Sequence, residues 1–171
     1  MQRVQTFRGL VEGLFRSDFA RFQGIWVEEH LRLMKALRAH FGNDLDKVMI
    51  TAAIGQQQLR DPALPRRAYP PDPEGKLVGD PARFTNVDRL AAATGIPRES
   101  VRRKVNELIA AGWVERVGTR GLAVCPRAAV EMQPATQTVF DVLDRMFAEF
   151  AMGLVERGDL KIERLTAKAR P

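Results

Sequence analysis

Arg98, Glu99 and Arg103 are the residues of this chain whose types and spacing best suit specific chemistry. They fall in the opening turns of a predicted helix, on a face free to project outward. The arginine guanidinium is a planar fork that fits the O6 and N7 acceptors of guanine, and a glutamate can accept from the N4 amine of cytosine. Arg102, Lys104 and Asn106 lie to the sides of the same helix, where a cylinder in a groove meets the two phosphate strands, so they are expected to position and not to read. Thr85 and Ser100, polar residues near the starts of two successive helices, join that backbone-contacting set. Arg120, at the tip of a predicted hairpin, is placed to enter a neighbouring minor groove or to touch a phosphate.

The elements that must hold these groups run from Thr85 to Pro126. Thr85 with Asp88 three residues on has the pattern of a capped start, Leu90 and Ala91 give an inward face, and Thr94 with Gly95 stops this first short helix. Ile96 pins the turn and Pro97 opens a second helix predicted to run to Ala111. Its apolar residues Val101, Val105, Leu108 and Ile109 share one face, opposite Arg98, Glu99, Arg102, Arg103 and Asn106. Gly112 ends it, and Trp113, Val114, Val117, Leu122 and Val124 read as two short strands around Gly118-Thr119-Arg120-Gly121.

This helix, turn, helix and hairpin resembles the winged helix-turn-helix transcription factors over roughly 40 residues. The run LAAATGIP, the run SVRRKVNELIAAGWVER and the glycine-bracketed wing are similar to those of MarR, GntR and IclR regulators. Arg98-Glu99-Ser100-Val101 followed by Arg103 resembles the recognition helix of the catabolite activator protein family. That resemblance implies a base-reading role for Arg98, Glu99 and Arg103. The chain departs from it at Pro97, where those families usually carry a Ser or Thr cap that also touches a phosphate. It departs again in having helix and a proline-rich loop over residues 1 to 82, so cyclic-nucleotide control does not carry over.

Charge placement points the same way. The chain has 171 residues and a net charge of +6, and the stretch Arg83 to Arg127 holds nine basic and four acidic residues, a net of +5. Concentrating the excess there favours a polyanionic partner through counterion release. The composition, 45% hydrophobic and 28% charged, is that of an ordinary globular chain. A single cysteine, Cys125, builds no disulfide within the chain and reads as a strand residue, with a redox sensor as the rival reading. No membrane-length apolar run and no signal-peptide core are apparent, so a cytoplasmic location is expected.

Around the reading segment lie two apolar stripes. Residues 6 to 41 predict one long helix or two nearly continuous ones, with Phe15, Phe19, Phe22, Trp26, His30, Leu33 and Leu37 at steps of four and three. Asn43, with Asp46 behind it, is expected to cap a further helix ending near Leu59. Residues 60 to 82 are proline-rich and predict a loop whose Arg66, Arg67 and Lys76 can brush DNA. Residues 126 to 133 read as a connector. Pro134 opens a last helix, 134 to 157, carrying Val139, Leu143, Met146 and Phe150, and residues 158 to 171 form a basic tail. The division expected is a helical region 1–59, the loop 60–82, a reading domain 83–127, the last helix and the tail.

The fold class expected is therefore mainly α, a winged helix-turn-helix with a small hairpin, flanked by dimerisation helices as in the MarR plan. Phe15, Phe19, Phe22, Trp26, Val139, Leu143, Met146 and Phe150 are the expected dimer contacts. The function expected is a homodimeric, sequence-specific DNA-binding regulator, a repressor reading an inverted repeat, released by a small-molecule effector between helical region and reading head or else ligand-free. A protein- or RNA-binding winged helix is the rival, disfavoured because the exposed helix face lacks aromatic anchors. No HExxH, GxSxG or phosphate-cradling glycine loop is present, so neither an enzyme nor a cofactor is expected. His30, in the stripe, has no Cys, Asp or second His at ligand spacing beside it, and His40 follows at the helix end, so no metal site is expected.

Overall fold

The computed structural model describes residues 6–60, 84–119 and 121–160. It is mainly helical with one two-stranded antiparallel sheet, in the order α1 (Phe7–Ser17), α2 (Phe19–His40), α3 (Leu45–Leu59), α4 (Val87–Thr94), α5 (Arg98–Ala110), β1 (Val114–Val117), β2 (Gly121–Val124), α6 (Pro126–Glu131) and α7 (Gln133–Glu156). The chain forms two compact units, Met1–Leu33 with Thr138–Pro171, and Met34–Gln137. Arg120, the loop lysine and arginines at 66, 67 and 76, and the tail from residue 161 lie outside the described residues.

In the first unit the apolar stripes cover one another inside a single chain. Leu14, Phe22 and Leu154 are buried, with Leu10, Phe15 and Phe150 packed against them. The Phe22 ring meets Phe150 at 5.8 Å and Phe15 at 6.1 Å, centroid to centroid, in tilted and edge-on geometries that aromatic pairs prefer. Phe22, expected to pack against a second subunit, is instead covered within this chain, with Phe15 and Phe150 partly buried against it. A lone helix would leave them bare, but α7 runs back along α2 and takes them.

Charged residues on the far edge fix that pairing. Arg21 reaches Glu149 at 3.1 Å and Glu156 at 2.7 Å, Arg32 reaches Asp141 at 3.8 Å, and Arg145 reaches Glu28 at 3.3 Å. Residues 21, 28 and 32 share one face of α2, and 141, 145, 149 and 156 share one face of α7. Glu29 is fully buried beside this ladder, 3.0 Å from Arg145 and 3.6 Å from Arg32. Opposite the ladder, Phe19, Trp26, Leu143 and Phe147 remain exposed.

The second unit has its own core of Phe41, Ile50, Ile54, Leu90, Ile96, Val101, Val105, Leu108, Val114 and Leu122. Two expected caps move by one residue. Asn86, not Thr85, caps α4, its side chain accepting from the Arg89 amide at 3.0 Å, because the Thr85 carbonyl is taken by the Leu122 amide at 2.9 Å in a bridge to β2. Asp44, not Asn43, caps α3; Asn43 sits in the left-handed region with φ 66°. Residues 126 to 131, expected as a connector, form α6, with Pro126 where the missing amide costs nothing.

Candidate nucleic-acid interface

The position of α5 follows from its own pattern and from the turn before it. Val101, Val105 and Leu108 are buried, which turns the opposite face outward. Gly95 closes α4 in the left-handed conformation, φ 71°, donating to Ala91 at 3.0 Å, a geometry that costs a residue with a Cβ far more. Thr94 Oγ1 donates to the Leu90 carbonyl at 2.7 Å and accepts from the Ile96 amide at 3.3 Å, so the turn is fixed from both sides. Pro97 stands at the cap position, with no side-chain hydrogen bond to the helix start.

Along the outward face Arg98, Glu99, Arg102 and Arg103 are all about 60% exposed, at 60%, 65%, 59% and 62% of the side chain. Glu99, Arg102 and Arg103 border an open depression of about 610 Å³ lined also by Ser100, Asn106, Glu107 and Ala110. The arginines are not free cations, because each is held by a carboxylate. Arg98 pairs with Asp88 at 2.5 Å and Glu99 at 3.2 Å, Arg102 with Glu99 at 2.8 Å, and Arg103 with Glu107 at 2.8 Å. The hydrogen bond from Arg102 holds the Glu99 carboxyl below its ordinary range, so it is an acceptor and not a donor. Exposed pairs of this kind are weak, so they orient the guanidinium groups without preventing exchange for a better anion.

Three residues expected at the phosphate strands are placed differently. Thr85 is buried at the edge of β2, bridged to Leu122. Lys104, expected at the flank, is only 7% exposed and points inward to Asp44, with Asp46 at 3.4 Å. Its neighbours Val101, Val105 and Leu108 define the buried face, and position 104 falls on that side of the helix. Asn106 is exposed but accepts from Arg116 of β1 at 3.1 Å, which ties α5 to the hairpin.

Burial works to lower the Lys104 pKa, and the hydrogen bond to Asp44 overrides it, leaving the value raised. Asp44 is likewise pushed up by burial and brought down further by Lys104 and the Lys47 amide. A carboxylate with a depressed folded pKa adds stability that is present above its unfolded pKa of about 4 and is lost as pH falls through the folded value. Lys104→Ala is therefore expected to cost about 1 to 3 kcal/mol at neutral pH, to flatten the acid limb of stability against pH, and to leave base preference alone. Denaturant titrations between pH 2 and 7 measure this.

The Arg116, Asp88, Glu107 and Lys47 partners were not foreseen. The pairs Arg98–Asp88, Arg116–Asn106 and Lys47–Glu107 join different elements, of which local spacing carries no trace, whereas Arg103–Glu107 is an i,i+4 pair that helical spacing alone could have offered. Burial raises the Cys125 thiol pKa, with Glu115 adding to it, so the nucleophilic thiolate is disfavoured. His40 stacks on Trp113 at 5.6 Å and His30 lies 5.3 Å from Trp26. No group of three or more His, Cys, Asp or Glu suited to a metal occurs among the described residues. No helix there is long and apolar enough to cross a membrane. No protein-family model, curated protein or solved structure matches the chain.

Proposed function

We propose that the chain is a sequence-specific DNA-binding regulator of the winged helix-turn-helix kind, with α5 as the reading helix. The observation that carries this is the outward row of Arg98, Glu99, Arg102 and Arg103, opposite an inner face of Val101, Val105 and Leu108 on which the one charge, Lys104, is paired with Asp44. The element order supports it. α3, the Thr85 bridge, α4, α5 and the β1–β2 hairpin follow in the sequence of a winged helix, with Thr85 on the edge of β2 as a third, single-residue strand. Arg98, Glu99 and Arg103 are the base readers in this proposal. Arg102 and Ser100 meet phosphates, Asn106 braces the hairpin, and Lys104 and Thr85 hold the scaffold.

The regulator acts as a homodimer in this reading, through the apolar edge of the first unit. Phe19 and Trp26 lie seven apart on α2, and Leu143 and Phe147 four apart on α7, all 43% to 65% exposed. Aromatic side chains bury about 150 to 250 Å² each when wholly covered, so these four half-exposed residues form the apolar centre of an edge smaller than the about 800 Å² per partner of a standard interface. A two-fold pair presents two reading helices to successive major grooves and prefers an inverted repeat. Bound at a promoter it blocks polymerase, and a small molecule that alters the spacing of the heads releases it.

Selection of bound fragments from random duplex DNA tests the reading. Enriched half-sites related by two-fold symmetry are expected. Failure to enrich any sequence, with binding insensitive to salt, leaves the protein-interaction reading in its place. For the pairing, Phe19→Asp with Phe147→Asp is expected to convert a species of twice 19.2 kDa to one of 19.2 kDa in sedimentation, with helicity retained. A wild-type chain sedimenting at 19.2 kDa removes the inverted-repeat argument.

A further inference from the structure

Two ion pairs of opposite polarity staple the first turn of α3 to α5. Asp44 on α3 takes Lys104 of α5, and Lys47 on α3 reaches Glu107 of α5 at 2.7 Å. Lys104 and Glu107 are three residues apart and so are neighbours along the helix. An acid and a base on α3 meet a base and an acid on α5, so a slide of one helix along the other mispairs both. The Lys47 amide also donates to Asp44 at 3.2 Å, which fixes the turn from which its side chain departs.

The second staple continues to the reading face. Glu107 divides its carboxylate: Oε2 faces Lys47, and Oε1 accepts from Arg103 Nη1 at 2.8 Å. Arg103 thus gives one nitrogen to Glu107, and the rest of its fork carries donors for a base edge. Lys47 is 24% exposed against 62% for Arg103, so it sits behind the reading face and not on it. Without Lys47 the Glu107 carboxylate would be free to rotate and take Arg103 with both oxygens, closing the part of the fork that a base edge needs.

We infer that Lys47 is a positioning residue for base recognition: by anchoring Glu107 from a different helix, it holds Arg103 with part of its fork open for a base. The inference rests on α5 being the reading helix. A residue of this kind changes which base is preferred, whereas a phosphate contact changes affinity for all sequences alike and makes salt dependence shallower. Ligands of metals are oriented by an outer layer of partners in the same manner.

The test uses the full chain and the DNA enriched by selection, with every single-base variant of one half-site, titrated at several salt concentrations. Lys47→Ala is expected to lose about tenfold in discrimination at the base step that Arg103→Ala affects, with the salt slope unchanged. Lys47→Arg is expected to restore it, and Lys47→Ala added to Arg103→Ala to do nothing further. Glu107→Gln, which keeps shape and removes the anchored charge, is expected to loosen the same step and covers the case in which Lys47→Ala folds poorly. Full discrimination in Lys47→Ala, or uniform weakening with a shallower salt slope, overturns the inference while leaving the DNA reading intact. Absence of any base preference in the wild-type chain overturns both.

Discussion

Replacing Arg98 and Arg103 together by alanine is expected to remove sequence preference at two base positions while the fold persists. Each bidentate arginine–guanine contact is worth about 1 to 3 kcal/mol of discrimination, so the loss at each position is about 5- to 150-fold. The fold is expected to survive because both side chains are about 60% exposed, at 60% and 62%, and their partners Asp88 and Glu107 are surface carboxylates. Exposed pairs contribute about 0 to 1 kcal/mol, too little to unseat a helix anchored by Val101, Val105 and Leu108. Titration against the enriched site and its single-base variants, alongside thermal melts, measures both quantities. A double variant that keeps its base preference would remove α5 from the reading role. One that loses preference only by unfolding would show that the arginines are structural.

Lys104 supplies the contrast that makes this interpretable. It is two residues from Arg102 and one from Arg103 in sequence, and equally basic, yet it is buried against Asp44. Its removal is expected to move stability and pH dependence where Arg103 moves base choice. Charge placement along the chain could count Lys104 toward a basic face, but only the side of the helix on which it falls decides where that charge is spent.

Most of the second unit was legible because its signals are local. Val101, Val105 and Leu108 repeat at helical spacing, Gly95 and Ile96 mark the turn, and a glycine-bracketed run marks the hairpin, so α4, α5, β1 and β2 fall close to where spacing puts them. The cap moved from Thr85 to Asn86 because a tertiary bridge to Leu122 claimed the Thr85 backbone, and no local propensity reports such a bridge. The stripe from Phe15 to Trp26 was legible as apolar but silent on its partner. Periodicity says that a face is buried, not whether a distant helix of the same chain or a second copy buries it. Here the answer is divided: Phe22 goes to α7, and Phe19 stays bare. The candidate site shows the same limit: outward arginines and their partners Glu99 and Glu107 on the same helix follow from spacing, while Asp88 on α4 and Lys47 on α3 do not.

The second large effect is expected at Phe22. Phe22 is 2% exposed and stands at the centre of the first unit, between Phe15 and Phe150, with the Arg21 guanidinium 5.3 Å from its ring centroid. Truncation to alanine leaves a phenyl-sized void in a small core, a cost of about 3 to 5 kcal/mol. Gly153 makes the same point from the other side. A Cβ there would stand 2.5 Å from the Phe22 Cζ and 2.8 Å from the Leu14 Cδ2, so Gly153→Ala overpacks the site, at about 1 to 3 kcal/mol. The two changes are opposite in sign of volume, and a methyl at 153 falls into space that Phe22→Ala empties. In a double-mutant cycle the pair is therefore expected to be less destabilising than the sum of the singles, a coupling that contacting residues show and distant ones do not. Additive losses would mean that α7 does not lie against α2 at Gly153, and the apolar edge proposed for pairing two copies would lose its frame.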